Sequence, residues 1–199
     1  MDAALIHFAT YYRGVPYPSS RDFKPFIFEN NSTPYPIGFR DSNSQVGIIG
    51  YLRPEKSWEN KTIAYKSGRK TGVTYGLIQK IDDHRWTFSE YGYRVYVKPL
   101  IKISKCYTDD RGNYKCYYRG NIAGRTDSGG PVYLRYLIYF DPYSKIYHYI
   151  AYVIGIVSGT SDDWPVIELL ASWAVLVRER WPDLELVTCV QDYSYRTCL

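Results

Sequence analysis

The residues with chemistry to offer gather in one short segment, Gly124-Arg125-Thr126-Asp127-Ser128-Gly129-Gly130-Pro131-Val132. A serine between an acid and two glycines, just ahead of a strand-forming run, has the parts of a nucleophile exposed on a tight turn. Glycines at such a turn let a substrate backbone approach, and they let main-chain amides point at the oxyanion that develops during acyl transfer. The segment differs from a Gly-x-Ser-x-Gly elbow, because Thr126 stands two residues before Ser128. A lone serine hydroxyl is a weak nucleophile near neutral pH, so the chemistry also calls for a base.

Holding such a turn in place requires rigid elements, and the chain offers many short strands. Strand-like runs cover 45–52, 62–66, 72–81, 86–89, 94–103, 115–119, 131–140 and 146–158, with turn signals between them. This is the pattern of an antiparallel barrel or sandwich. Residues 2–8 read as one short apolar strand. Pro16, Pro18, Pro25, Pro34 and Pro36 then deny backbone donors to any central strand, so this stretch reads as loop or edge structure and marks a lobe boundary. One helix is predicted late in the chain. Asp162-Asp163 supply its N-cap, Pro165 fits its first turn, Val166, Leu169, Leu170, Trp173 and Leu176 recur at helical spacing, and Pro182 stops it.

Composition narrows the functional classes. At 199 residues, 45% hydrophobic and 18% aromatic, the chain is long enough and apolar enough to bury a core, which excludes intrinsic disorder. No run approaches the roughly 18 apolar residues of a membrane span. The formal net charge of +5 is scattered along the chain, which argues against a nucleic-acid partner. With 23 copies, Tyr dominates the aromatics, favouring half-buried strands and wet interfaces. Cys106 with Cys116 and Cys189 with Cys198 form two local pairs lacking Cys-x-x-Cys spacing or a neighbouring His, so hairpin-closing disulfides are expected and no metal or cofactor. Disulfides and the sequons at Asn30, Asn31 and Asn60 point to an oxidising, extracellular or cell- or virion-surface setting, although residues 1–20 contain no secretory leader.

Asp127-Ser128-Gly129-Gly130-Pro131-Val132 resembles the nucleophile motif of chymotrypsin-like serine proteases. Lys66-Ser67-Gly68-Arg69-Lys70-Thr71-Gly72, followed by Thr74-Tyr75-Gly76, is similar to the Gly-rich start of the second β-barrel in the bacterial branch of that family. Ile154-Gly155-Ile156-Val157-Ser158-Gly159 resembles the strand that follows the nucleophile. The resemblance implies an all-β fold: a chymotrypsin-like antiparallel β-barrel with a C-terminal α-helix. Residues 1–60 would be a remnant of an incomplete first barrel with a Pro-rich loop, and residues 61–199 a complete second barrel.

The same resemblance implies the roles of individual residues. Ser128 would form an acyl-enzyme with a polypeptide substrate, while Thr126, Asp127, Gly129 and Gly130 shape the nucleophile and oxyanion loop. Thr126 replaces a glycine of the oxyanion hole, and a β-branched residue resists the backbone geometry that glycine accepts. Asp127 would be buried against a cation, with Lys66 as its partner. Ser158, Gly159 and Thr160 would line the substrate, and Ile122 would occupy the pocket floor, where the absence of an acid favours hydrophobic side chains. Asp2, in Asp2-Ala3-Ala4-Leu5-Ile6, resembles the triad aspartate that orients an imidazole.

The catalytic His of that family has no counterpart in this chain, so the expectation is that it comes from an N-terminal segment or a separate polypeptide. His7 reads as a structural His on a strand, His84 as part of a solvated turn, and His148 as a surface pairing residue in a Tyr-rich strand. Two functions therefore stand side by side: a serine endopeptidase or its C-terminal portion, and an inactive protease-like domain kept as a binding or structural module. A third, weaker reading has His7 or a Lys as the base.

Overall fold

The structure is a computed structural model of the chain, described at residues 26–29, 44–68, 70–88, 91–116, 122–124, 127–161 and 168–183. Its strands are β1 (Phe26–Glu29), β2 (Ser44–Tyr51), β3 (Ile63–Gly68), β4 (Gly72–Phe88), β5 (Arg94–Thr108), β6 (Tyr114–Cys116), β7 (Pro131–Asp141), β8 (Ile146–Thr160) and β9 (Leu169–Trp173); the helix α1 covers Val175–Arg180.

Six of these strands close on themselves. In the order β3-β4-β5-β9-β8-β7 each pairs antiparallel with the next, and β7 returns to β3 through Tyr65↔Tyr133 and Lys66↔Val132. A closed ring leaves its members no bare edge over the paired length. Its interior is filled by Ala64, Ile78, Ile101, Ile103, Ile122, Val132, Leu134, Ile154, Val157, Leu169 and Ala171. Burying one such aliphatic side chain contributes about 1.5–3 kcal/mol, so the ring is a packed scaffold able to hold a surface loop in one geometry.

Two hairpins run on beyond the ring. β4 and β5 stay paired out to Phe88↔Arg94. β7 and β8 stay paired out to Asp141↔Ile146, with β2 lying parallel against Tyr147–Val153 of β8 and β1 antiparallel against β2. A second small core of Val46, Tyr133 and Ala151 underlies this second arm. The Arg135 guanidinium lies between the rings of Tyr65 and Tyr149, at 4.0 and 4.1 Å, a cation–π sandwich that joins the arm to β3.

The expected all-β architecture with a closing helix is present, and two local expectations are corrected. Among the described residues the predicted helix is present only at Val175–Arg180, and Leu169, Leu170 and Trp173 lie on strand β9 instead; Asp162, Asp163, Pro165 and Val166 lie outside the described residues. β9 runs between β5 and β8, and Leu169, Leu170, Ala171 and Ser172 are all buried. A strand covered on both faces is apolar at every position, and a short apolar run also satisfies helical spacing. The turn expected at Asp82-Asp83-His84-Arg85 is instead strand, which fuses two expected runs into the 17-residue β4. Register shifts between Ile78 and Arg85, with a positive φ at Asp82, absorb the polar residues as bulges.

Candidate active site

β3 alternates in burial, and its inward positions are Ala64, Lys66 and Gly68. This period of two puts an ammonium group inside the barrel, where an unpaired charge is prohibitively costly. Asp127 meets it: Lys66 Nζ donates to Asp127 Oδ2 at 3.1 Å, and both side chains are buried. Lys66 Nζ also donates to the Gly72 carbonyl and to the Thr71 hydroxyl.

Asp127 accepts four further hydrogen bonds. They come from the Thr71 hydroxyl at 2.6 Å, the Lys70 amide at 2.7 Å, the Gly124 amide at 2.8 Å and the Thr71 amide at 3.2 Å. Burial by itself raises the carboxyl pKa, but the Thr71 hydroxyl, the Gly124 and Lys70 amides and the Lys66 ammonium outweigh it and bring Asp127 to about 2. Burial is also the largest influence on Lys66 and lowers its pKa against the opposing pull of Asp127. The turn linking β3 to β4, at Lys70 and Thr71, thus works as an anion cradle for the nucleophile loop.

With Asp127 fixed inward, the chain turns Ser128 outward to an exposed position. Gly129 takes φ +85°, a left-handed geometry that an L side chain resists, and its amide donates to the Val157 carbonyl at 2.9 Å. The Gly130 amide donates to the Asp127 carbonyl at 3.0 Å, and the Val157 amide donates back to the Gly130 carbonyl at 2.9 Å. The serine is therefore stitched to β8 immediately before Ser158.

Beyond Val157, β8 pairs with β9 on one edge and has no strand on the other among the described residues. That edge, Ser158-Gly159-Thr160, offers main-chain groups to an extended polypeptide beside Ser128. The Ser158 side chain turns to β9, where its Oγ lies 2.6 Å from Ser172 Oγ and accepts from the Ser172 amide at 3.3 Å. Ile122 is fully buried in the same core cluster as Leu169 and Val157, and its carbonyl accepts from the Thr74 hydroxyl.

The structure thus brings together Lys66, Asp127, Ser128, Gly129, Gly130, Ser158, Gly159 and Thr160. Asp2, His7, Thr126, Cys189 and Cys198 lie outside the described residues. Cys106 and Cys116 form a disulfide joining β5 to β6. His84 is exposed with its ring 5.4 Å from that of Tyr96, and His148 stacks on Tyr139 at 4.3 Å. Sequence reasoning missed Thr71 and Ser172. Thr71 carried a signal, as a hydroxyl within a Gly-bounded basic turn, whereas Ser172 was hidden by the helical reading of β9. Among the described residues, no group of three His, Cys, Asp or Glu side chains is placed to hold a metal ion.

No family model and no curated protein matches the chain. In structure it is similar to bacterial proteases of the chymotrypsin-like class that its Ser128 segment resembles. These are Protease A from Thermobifida fusca (TM-score 0.48, 18% identity, 85% of this chain and 64% of that one), the chymotrypsin of Cellulomonas bogoriensis (0.47, 16%, 84% and 63%) and the Nocardiopsis protease NAPase (0.44, 17%, 80% and 58%). The chain spans less than two thirds of the length of each. At such scores and identities, function is read from this chain's own residues.

Proposed function

We propose that the chain is a trypsin-like serine endopeptidase, or the C-terminal portion of one, that hydrolyses peptide bonds through an acyl-enzyme on Ser128. The observation that carries this reading is the fully buried, five-donor cage around Asp127, which turns the next residue, Ser128, out beside the open edge of β8. Burying a carboxylate this thoroughly to display a serine is a costly arrangement that a mere turn does not need. In this reading the acyl group forms on Ser128 Oγ while a His from outside the chain takes its proton. Asp2 orients that His, and the Ser128 amide faces the oxyanion, since the Asp127, Gly129 and Gly130 amides are held by the Gly124, Val157 and Asp127 carbonyls.

Residues 1–60 then belong to a first barrel and residues 61–199 make the second, with the substrate lying along Ser158, Gly159 and Thr160. Ile122, fully buried in the core, holds the pocket-floor position in this reading, and the absence of an acid there favours an uncharged side chain next to the scissile bond. The Cys106–Cys116 disulfide supports an oxidising, extracellular or surface setting.

A second reading, an inactive protease-like domain serving as a binding or structural module, is favoured by one specific observation. Five consecutive large residues of the β7–β8 arm, Tyr136, Leu137, Ile138, Tyr139 and Phe140, are each 39–55% exposed. Apolar runs of this kind mark interaction surfaces.

Intact-mass measurement after exposure to a serine-directed fluorophosphonate separates the two readings. A single adduct that disappears in Ser128→Ala supports the endopeptidase. Absence of the adduct, both in this chain and in one extended by a His-bearing upstream segment, leaves the binding module.

A further inference from the structure

The turn that feeds β3 carries a motif that the proposed chemistry leaves unused, Asn60-Lys61-Thr62. It follows one turn of 3-10 helix at Lys56–Trp58, and main-chain bonds hold it on both sides. The Asn60 amide donates to the Ile78 carbonyl at 2.7 Å, the Lys61 and Thr62 amides donate to the Trp58 carbonyl at 3.2 and 3.1 Å, and the Thr62 carbonyl accepts from the Ile78 amide at 2.9 Å. Asn60 takes φ +57°, the left-handed region that asparagine enters more readily than most residues. This backbone need accounts for the asparagine, but it does not ask for a hydroxyl two residues later. Asn60 and Lys61 are exposed and Thr62 is half-buried, and neither the Asn60 side-chain amide nor the Thr62 hydroxyl is engaged by another described residue.

A threonine hydroxyl two residues after an exposed asparagine is the pattern that N-glycosylation requires. We propose that Asn60 carries an N-linked oligosaccharide. In the transfer, the Asn60 side-chain nitrogen bonds to the anomeric carbon of an oligosaccharide delivered on a lipid diphosphate. The sugar–phosphate C–O bond breaks, its electron pair leaves with the diphosphate, and one amide proton follows it. The fold has room for the product: Asn60 stands before β3, whereas the nucleophile loop meets the far end of that strand, where a Cβ on Gly130 would strike the Ser67 carbonyl. The run from Ile63 to Gly68 spans roughly 17 Å, so a glycan at Asn60 leaves Ser128 uncovered. The proposal rests on the oxidising, extracellular or surface setting given above and not on the peptidase chemistry.

The test is expression of the full chain behind a secretory leader in cultured eukaryotic cells, followed by intact mass and peptide mapping before and after peptide-N-glycosidase. That enzyme releases the glycan and leaves an aspartate at the acceptor, so mapping separates Asn60 from the sequons at Asn30 and Asn31. Whole-cell and secreted material are both read, so the answer does not depend on export. The parent chain should carry a glycan at Asn60, Thr62→Ala should lose it and Thr62→Ser should keep it. Asn60→Gly retains the left-handed backbone, so it should lose the glycan with its Tm unchanged. An unmodified Asn60 in the parent chain, or a glycan that survives Thr62→Ala, overturns the proposal. Free thiols at Cys106 and Cys116 in the chain from its native source would overturn the oxidising setting instead, and would leave Asn60 a competent acceptor.

Discussion

Gly68 and Asp127 are packed so closely that a Cβ added to Gly68 would lie 2.4 Å from Asp127 Oδ1. The last residue of β3 is therefore the floor of the carboxylate cage, and a side chain there has to displace the group that turns Ser128 outward.

Gly68→Ala should accordingly destabilise the fold by about 1–3 kcal/mol, the range for forcing volume into a filled site. In a domain of this size that lowers Tm by several degrees. It should also abolish fluorophosphonate labelling of Ser128. A variant with unchanged melting and labelling would show that the Asp127 cage tolerates displacement.

The acid response follows from the same carboxylate. In the fold Asp127 has its pKa depressed from 3.8 to about 2, so the native state keeps it ionised where the unfolded chain would protonate it. Its stabilising contribution is complete above the unfolded value and is lost as pH falls through about 2. Thermal melts between pH 5 and pH 2 should show falling stability. Asp127→Asn should flatten this dependence while costing about 3 kcal/mol at neutral pH, because Lys66 is left buried without its counter-ion. A wild-type profile indistinguishable in slope from the Asn variant would contradict the assignment.

Reduction of Cys106–Cys116, which closes a loop with a sequence separation of 10, should cost about 2–3 kcal/mol by freeing the unfolded chain. Denaturant titration with and without reductant measures it, with the double Ser variant as a control. Matching midpoints after confirmed reduction would mean that the hairpin is held by its strand pairing alone.

Ser172→Ala removes the hydroxyl 2.6 Å from Ser158 Oγ but leaves the Ser172 amide donating to it. A stability loss of about 1 kcal/mol is expected. A loss several times larger, read from denaturant midpoints, would show that this pair holds β8 and β9 together more firmly than one hydrogen bond does.

Alternation and turn chemistry made most strands legible, and the Lys66–Asp127 pairing could be posed because a motif placed an acid before Ser128 and a base in a Gly-rich turn. What escaped reading had specific physical causes. β9 looked helical because a strand buried on both faces shows no alternation. Asp82 to Arg85 looked like a turn because bulges admit polar residues that a regular strand excludes. The role of Thr71 depends on a contact across 56 positions of sequence, which no local pattern reports. The Arg85–Thr160 contact, spanning 75 positions, is equally invisible before the barrel closes.

One edge of β8 is divided between two neighbours, with β9 meeting residues 155–160 to complete the ring and β2 covering Tyr147–Val153. A chain trimmed to begin at Arg53 would still close its ring and retain the Asp127 cage. It would also bare seven residues of strand edge, Tyr147 to Val153, to any passing chain. Strand β2 thus acts as a sheath over that edge, and a chain trimmed of it should keep its closed ring yet become self-adhesive.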